Sequence, residues 1–477
     1  MEELTGLDAR FLYSETATAH MHTIKVVVVD VTARTGVLTP ELLAAAFARR
    51  LDRMPVLRRR VVPVPHRVSH PVWVEVPVDP DDHIVWRRLE PPGDRDSLSA
   101  LVAEIAGVPL RRDRPLWELT VVEGLADGRL AFVVKLHHAL ADGVAVAAML
   151  ANVFGEEGGP VVAEPARPEP MPVARQLRRQ AVRNRLHRAV RLPGLLLANV
   201  TGLLAAGRSR EARAVRPPAP FTGPRSTFNV ALSDQRTFAV ADLALDDILR
   251  LRAVHGVTVN DVFLAVCSGA LRAHLGQPAT RRRGLTAAVP IGSPGDDARL
   301  SGNRLDHMLV ALRTDIDDPV ARLQAIAQGA AAGRAERALL GRGLFEARAA
   351  HTPPVLYPLA MRLWAASRLA NRLRPPVNLI ISNVIGPRVT LELKGGVVDE
   401  LWSVGPILEG IGLNLTAWSY DGVLRVSVLG CPESLPDAGV LVARLEEALA
   451  ELDAATHRTE SAPSPADHDR RPDAVRA

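Results

Sequence analysis

Two adjacent histidines, with an aspartate and a glycine close behind them, are the residues of this sequence best suited to chemistry. His137 and His138 are followed by three apolar residues and then by Asp142 and Gly143. A neutral imidazole, whose pKa is near ~6.5, can accept a proton at one ring nitrogen while a hydrogen bond at the other fixes the tautomer. The pattern suits proton abstraction by His138, and a positioned histidine base contributes about 10²- to 10⁴-fold in rate.

The elements on either side of the histidines decide how firmly they are held. Residues 130–136 are mostly apolar and follow an Asp-Gly turn signal at 127–128, which predicts a buried strand in a hairpin with 117–123. The apolar run at 144–153 predicts a largely buried helix. The histidines therefore lie in a loop between a strand and a helix, where rigid flanks can hold a reactive group.

Asp142 is open to two interpretations. Its carboxylate, four residues after His138, could brace the loop through a buried ion pair with an arginine, while Gly143 lets a ligand approach the backbone closely. Alternatively, Asp142 is the N-cap of the following helix and the histidine pair only completes a strand end. The spacing alone favours neither interpretation.

These residues also carry a resemblance to known proteins. The segment His137-His138-x-x-x-Asp142-Gly143 resembles the H-H-x-x-x-D-G motif of the coenzyme A-dependent acyltransferase superfamily, which includes the condensation domains of peptide synthetases. Further segments resemble, in chain order, the bacterial wax ester synthase/acyl-CoA:diacylglycerol acyltransferase family: Leu7-Asp8-Ala9, Phe11-Leu12-Tyr13, Met21-His22, Pro115-Leu116-Trp117, Asn260-Asp261, Gly302-Asn303 and Ser382-Asn383-Val384-Ile385-Gly386-Pro387. The similarity extends from Leu7 to about Pro436, with Ile385 where the family usually has proline.

The resemblance implies a fold and an activity. The implied fold is α/β, with two chloramphenicol acetyltransferase-like domains that face each other across a tunnel and the His138 loop midway along it. The implied reaction transfers a long-chain acyl group from acyl-CoA, a substrate rather than a cofactor, to diacylglycerol, with His138 as the general base. A fatty alcohol is an alternative acceptor, which would make the protein a wax ester synthase. A second alternative is a lipid-surface binding protein that has the same fold but no activity.

The remaining motif residues have both structural and functional interpretations. The developing oxyanion needs donors, and the candidates are backbone amides near Gly143 and the side chain of Asn260 or Asn383. Asn260 is also a candidate N-cap for the helix that it opens with Asp261, and Ser382 and Asn383 are predicted to end a buried strand. For Pro115-Leu116-Trp117 we favour a structural role over an acyl-site role, because a large aromatic residue after a proline usually anchors packing. His22 is expected to be a satisfied surface histidine.

Composition limits the possible partners. The chain has 477 residues and a net charge of +5, and Lys25, Lys135 and Lys394 are its only lysines. The pI of 9.7 suits anionic partners such as coenzyme A phosphates or acidic lipid headgroups. No cluster of basic and aromatic residues suggests a nucleic-acid partner, and no clustered ligand spacing suggests a metal.

Cysteine content and hydropathy bear on location. Cys267 and Cys431 are too few for a disulfide framework, which indicates a reducing compartment, and Cys267 is expected in the core. Met1-Glu2-Glu3 is acidic where a signal peptide would be basic. No apolar run reaches about 18 residues, so no segment is expected to span a membrane. We therefore expect a cytoplasmic protein at the inner face of the plasma membrane or on lipid droplets.

The domain organisation follows from shifts in composition. We predict an N-terminal acyltransferase domain over 1–157, a basic crossover over 158–224, a C-terminal acyltransferase-like domain over 225–455 and a disordered tail over 456–477. Within the crossover, arginines flank a leucine cluster that is interrupted by Pro193, Gly194 and Gly202. Such a segment suits an anionic membrane surface. Alternatively, it is a solvated helix whose leucines pack on the second domain.

Overall fold

The structure is a computed structural model that contains two large β-sheets with helices packed on them. It describes residues 1–31, 41–42, 45, 54–154, 168–211, 215–276, 284–291, 299, 301–304, 306–340, 342–387, 389–393 and 396–461. Within these ranges, three strands form a small sheet and two mixed sheets have six strands each. The mixed α/β architecture agrees with the predicted fold class.

The N-terminal half supplies the elements that surround the histidines. In chain order they are β1 (Glu2–Glu3), α1 (Gly6–Tyr13), β2 (His22–Asp30), β3 (Arg59–Val62), β4 (Val72–Glu75), β5 (Ile84–Arg88), α2 (Arg95–Gly107), β6 (Trp117–Glu123), β7 (Leu130–His137), α3 (Gly143–Phe154) and α4 (Ala174–Glu211). The predicted hairpin is confirmed as β6 and β7, and the predicted helix after Gly143 is confirmed as α3. The sequence Thr39-Pro40-Glu41 predicts the start of a further helix that runs to about Arg53, and this segment lies largely outside the described residues.

The C-terminal half repeats the alternation of helices and strands. Its elements are β8 (Thr237–Ala244), α5 (Leu245–His255), α6 (Val259–Leu275), β9 (Thr286–Ile291), β10 (Asp306–Ala311), α7 (Pro319–Leu340), α8 (Arg342–Ala350), α9 (Leu356–Ser367), β11 (Leu379–Val384), β12 (Glu392–Leu393), β13 (Gly396–Val404), β14 (Leu413–Tyr420), β15 (Val423–Gly430) and α10 (Ala438–Ser461). The sequence also predicts a helix that starts at Pro319, after an Asp318 cap, and a hairpin of residues 413–420 with 423–429 around an Asp-Gly turn. Both predictions are confirmed, as α7 and as β14 with β15. Helix α10 continues to Ser461, so the predicted disorder is wrong for residues 456–461, and 462–477 lie outside the described residues.

The first large sheet has the strand order β12-β13-β2-β7-β6-β5. In β2, Val26 and Val28 face one hydrophobic cluster, whereas Val27 and Val29 face another. Both faces of the sheet are therefore covered, which explains why the strand is a continuous run of valines rather than an alternating pattern. This double cover makes the sheet a rigid support for the loop that follows β7.

Strand β13 was not predicted, and it connects the two halves of the chain. Although it lies far along the sequence, it pairs antiparallel with β2, and Ser403 lies opposite Lys25. A register shift between Val398 and Glu400 breaks the period-2 pattern that would have revealed the strand. Because of this pairing, the C-terminal half supplies part of the sheet that holds the histidines.

The second large sheet has the order β10-β9-β11-β14-β15-β8. Helices α6, α7 and α10 bury their apolar faces in the hydrophobic cluster of this sheet. Cys267 on α6 is fully buried there, as predicted, and burial raises the pKa of its thiol well above the ordinary value.

The crossover contains one long helix, α4, which continues through Pro193. Leu196, Leu197, Val200 and Leu204 are all more than half exposed. These four side chains are therefore not buried against the second domain, although α4 itself lies against α7 and α8 of the C-terminal half. Within the described ranges, no single helix is long and apolar enough to span a membrane, and α5 with α6 would qualify only as a pair bent by 107°.

Candidate active site

His137 occupies the buried end of β7 and holds the shape of the loop. Its Nδ1 accepts a hydrogen bond from the backbone N–H of Ala139 at 3.0 Å, so the ring proton is on Nε2, which lies 2.9 Å from Glu15 Oε1. Burial lowers the pKa of His137 well below its ordinary value. Because both ring nitrogens are occupied, His137 positions the loop and does not offer a base to a substrate.

His138 follows in the loop, with its ring held on two sides. The ring stacks on Phe11, with a centroid distance of 4.2 Å, and its Nδ1 lies 3.1 Å from Asn303 Oδ1. Burial lowers the pKa of His138 below its ordinary value, which favours the neutral imidazole.

Asn303 determines which nitrogen of His138 carries the proton. Its Nδ2 donates to the backbone carbonyl of His138 and to Asp8 Oδ1, both at 2.7 Å. The amide oxygen therefore faces the ring and must accept a hydrogen bond from the N–H of Nδ1. The lone pair of His138 is then on Nε2, the nitrogen that a general base requires.

Asp8 completes this chain of contacts from the first helix of the protein. It is buried, and its Oδ1 also accepts the backbone N–H of Asn303 at 3.1 Å. Burial raises the pKa of the Asp8 carboxyl to about 6. Asp8 and Asn303 belong to the segments that resemble the family, but no role was predicted for either residue.

Asp142 satisfies both interpretations that the sequence left open. Its Oδ2 accepts from Arg299 Nη2 at 2.5 Å and from the backbone N–H of Arg304 at 3.0 Å, and its Oδ1 accepts from Ala145 N at 3.1 Å. The predicted ion pair with an arginine is confirmed, and Asp142 also caps α3. The carboxylate is buried and fully engaged, so it braces the loop rather than contacting a substrate.

The segment around Gly302 fastens the loop a second time. The backbone N–H of Gly302 donates to Leu140 O at 2.7 Å, and Asp142 N donates to Gly302 O at 3.2 Å. The C-terminal half therefore pins the loop of the N-terminal half through backbone as well as side-chain contacts.

His138 lies in the wall of a cavity of about 670 Å³ between the two halves. The cavity adjoins a cleft of about 930 Å³, and both are lined by Pro290, Asn383, Ile385, Gly386 and Pro387. Much of the wall is apolar, for example Phe11, Met21, Val144, Ala147 and Val384. The 670 Å³ cavity, with the imidazole on its wall, therefore lies between the two halves, whereas every lining residue of the adjoining cleft belongs to the C-terminal half.

Several predicted residues share this cavity. Gly143 lies so close to the opposite wall that a Cβ added there would be 3.0 Å from Val384 Cγ2. Ser382 and Asn383 also line the cavity, but they lie within β11, which continues to Val384 rather than ending before them. His307 was not predicted; it also lines the cavity.

Asn260 and Asp261 do not line the His138 cavity. The N-cap of α6 is Thr258, which forms a capping box with Asp261, so the prediction that Asn260 is the cap is wrong. A threonine two residues earlier, with an aspartate three residues after it, was the signal for this cap. Asn260 lines the adjoining cleft rather than the His138 cavity.

Pro115, Leu116 and Trp117 are buried in the core, as the structural interpretation of this motif expects. The Trp117 indole donates to Leu57 O at 2.8 Å and stacks on His83 at 4.1 Å.

His22 is buried, so its prediction as a surface histidine is wrong. Neither of its ring nitrogens has a hydrogen-bond partner in the part of the chain that the structure describes. The error arose because β2 begins at His22, which pairs with His137 in β7 instead of preceding the sheet.

Comparisons with known proteins agree with this geometry. Residues 4–263 match the family described as the wax ester synthase/diacylglycerol acyltransferase catalytic domain, and residues 301–453 match the C-terminal domain of the same family. A candidate diacylglycerol O-acyltransferase of Mycobacterium tuberculosis is 40% identical over 433 residues, which cover 90% of this chain and 91% of the relative. Another from the same organism is 34% identical over 451 residues, covering 90% of this chain and 92% of the relative.

Solved structures show the same fold. The wax ester synthase/diacylglycerol acyltransferase from Marinobacter aquaeolei is 25% identical and superimposes with a TM-score of 0.65 over 95% of this chain and all of the other. The first condensation domain of the CDA synthetase, at 16% identity and a TM-score of 0.57, covers 95% of this chain and 96% of that chain and shares the fold alone. This chain belongs to the wax ester synthase/diacylglycerol acyltransferase family, with two chloramphenicol acetyltransferase-like domains.

Proposed function

We propose that this acyltransferase transfers a long-chain acyl group from acyl-CoA to diacylglycerol, with His138 as the general base. The proposal depends on the two ring nitrogens of His138, a residue in the wall of a largely apolar cavity. Asn303 holds the proton on Nδ1, and Nε2 has no hydrogen-bond partner among the described residues. The names of the relatives support diacylglycerol as the acceptor. Acyl-CoA is a substrate here, and the proposal includes no cofactor or metal.

The reaction proceeds in two steps at this nitrogen. The acceptor hydroxyl gives its proton to His138 Nε2 as its oxygen forms a bond to the thioester carbonyl carbon. The tetrahedral intermediate then collapses, the carbon–sulfur bond breaks, and the coenzyme A thiolate takes the proton from Nε2. The products are triacylglycerol and coenzyme A with a free thiol.

The oxygen anion of the intermediate needs hydrogen-bond donors. The first backbone N–H groups of a helix lack intrahelical partners and carry a partial positive charge. Gly143 and Val144 begin α3 and line the cavity, and the side chain of Asn383 faces the same space. We assign the oxyanion site to these groups and not to Asn260, which lies outside the cavity.

A fatty alcohol is the second acceptor that we consider, because the family description covers wax ester synthases as well. The two acceptors can be separated by incubating the protein with labelled palmitoyl-CoA, diacylglycerol and hexadecanol at equal concentrations. We expect mainly labelled triacylglycerol, with one thiol released for each acyl group transferred. Mainly wax ester would favour the second function, and labelled free fatty acid alone would contradict both.

We also propose that α4 contacts the surface of a membrane or lipid droplet, where these substrates reside. Its exposed apolar side chains Leu186, Val190 and Leu197 accompany the exposed arginines Arg183 and Arg191. Such a face attracts anionic lipid and places apolar groups at the headgroup boundary. Sedimentation with phosphatidylglycerol vesicles should exceed that with phosphatidylcholine vesicles, and Leu197→Glu should weaken it; equal sedimentation of all three samples would contradict the proposal.

A further inference from the structure

The wall of the His138 cavity contains a lysine that the proposed mechanism does not use. Lys25 lies on β2 with only 2% of its side chain exposed. Its Nζ donates to Ser403 Oγ on β13 and lies 4.9 Å from the centroid of the Trp418 ring. Lys25 and Ser403 both line the cavity, so the ammonium group is buried from bulk solvent but accessible to a substrate.

No carboxylate within the described ranges forms an ion pair with Lys25. Lys135, the other buried lysine, differs in this respect, because its Nζ lies 3.0 Å from Glu118 Oε1 and 3.3 Å from Val108 O. An ammonium group has three N–H donors, and Ser403 takes one of those of Lys25. Because buried N–H donors without an acceptor are costly, the remaining donors of Lys25 call for an acceptor from the cavity.

The surroundings of Lys25 indicate the chemistry of that acceptor. Thr416 and Asn414 line the same cavity and are hydrogen-bonded to each other at 2.7 Å, and we call these two residues with Lys25 and Ser403 the polar patch. Burial lowers the pKa of Lys25 to about 7, because desolvation disfavours the charged form. An ester carbonyl oxygen can accept a hydrogen bond from the Lys25 side chain, so it is an acceptor of the required kind.

The position of the polar patch relative to His138 also fits the binding of an ester carbonyl. His22 pairs with His137, and Lys25 lies three residues further along β2, about 10 Å at about 3.3 Å per residue. Lys25 and His138 line the same cavity, so the polar patch is within reach of the ester groups of a glyceride whose free hydroxyl lies at His138.

We propose that Lys25 and Ser403 are specificity-determining residues that bind an ester carbonyl oxygen of the diacylglycerol acceptor. This inference rests on the proposed function. A simple fatty alcohol has no such oxygen, so the pair would favour glycerides over alcohols of equal chain length.

The test uses Lys25→Met, which keeps the length and apolar stem of the side chain but removes its donors. A hydrogen bond from a charged donor corresponds to about 10- to 100-fold. We therefore expect the ratio of kcat/KM for diacylglycerol to kcat/KM for hexadecanol to fall by about that factor. Because an unpaired buried cation is removed, the urea midpoint should rise or stay unchanged, so the variant should fold.

Two controls make the result decisive. Lys135→Met removes the other buried lysine, which does not line the cavity, and should leave the acceptor ratio within threefold. Ser403→Ala should lower the ratio in the same direction as Lys25→Met. A ratio within threefold of wild type in Lys25→Met overturns the inference, whereas failure of the wild type to form triacylglycerol would overturn the proposed function instead.

Discussion

The loop after β7 and the loop after β15 occupy equivalent places in the two halves, yet only one of them is suited to chemistry. Each follows the second strand of a hairpin and leads into a helix, α3 in one case and α10 in the other. Each ends with an aspartate that caps this helix: Asp142 accepts from Ala145 N at 3.1 Å, and Asp437 accepts from Gly439 N at 2.8 Å.

The difference lies in where the polar groups find their partners. In the loop at 431–437, Ser434 Oγ donates to Gly412 O and accepts from Cys431 N at 3.1 Å, so the loop satisfies itself with nearby groups. In the loop at 138–142, Asn303 and Arg299 come from the other half of the chain. Distant partners hold the His138 ring by one nitrogen and leave the second available.

Cys431 shows that a reactive residue type is not sufficient. It begins its loop as His138 begins the other, but it is fully buried, and burial raises the pKa of its thiol above the ordinary value. A thiol that stays protonated is a poor nucleophile. The comparison indicates that contacts between the halves, rather than the strand-loop-helix arrangement, produce the active site.

The largest expected effect comes from removing the partner of His138 with Asn303→Ala. Without the amide oxygen, the imidazole can adopt the other tautomer or rotate, and in a serine protease triad loss of the correct tautomer costs about 10⁴-fold. We expect kcat for triacylglycerol formation to fall by about 10²- to 10⁴-fold while the circular dichroism spectrum is unchanged. Ser434→Ala, which disturbs only the self-satisfied loop, is the control; a kcat for Asn303→Ala within threefold of that control would refute the role of Asn303.

A smaller effect should distinguish the two capping aspartates. Asp142→Ala removes a cap and also the ion pair with the largely buried Arg299, so the free energy of unfolding should fall by about 3 kcal/mol. Asp437→Ala removes only an exposed cap and should cost about 1 kcal/mol. Urea denaturation of both variants measures the difference, and equal losses would show that the ion pair across the halves contributes little.

The smallest effect concerns the pH dependence of kcat/KM. Because burial lowers the pKa of His138, the neutral base persists below its ordinary pKa of ~6.5. The acid limb of the profile should therefore have its midpoint below about 6.5. The profile of Cys431→Ala should superimpose on that of wild type. An acid limb centred above pH 7 would contradict the burial argument.

Local signals were sufficient to predict the elements around the site. The hairpin of β6 and β7 and the start of α3 at Gly143 depend on residues that are near one another in sequence. The ion pair of Asp142 could be predicted because its charge would otherwise be unpaired. The partner of His138 could not be predicted in this way, because Asn303 lies 165 positions after it in the sequence. Asn303 is in turn oriented by Asp8, which lies 295 positions before Asn303.

The other errors have similar physical origins. Strand β13 was missed because a register shift interrupts its alternation and its partner strand is near the other end of the chain. The importance of Lys25 depends on the same pairing, since Ser403 reaches it only through β13. His22 was misjudged because burial depends on which strands cover it.

The role of His138 as the general base can be tested directly by the rate at which His138→Ala releases the coenzyme A thiol from palmitoyl-CoA in the presence of diacylglycerol. His137→Gln, in which an amide N–H can still donate to Glu15, serves as the matched control for loop structure. We predict that His138→Ala folds but loses about 10²- to 10⁴-fold in kcat, a larger loss than that of His137→Gln. Thiol release by His138→Ala at the wild-type rate would contradict the assignment of His138 Nε2 as the base.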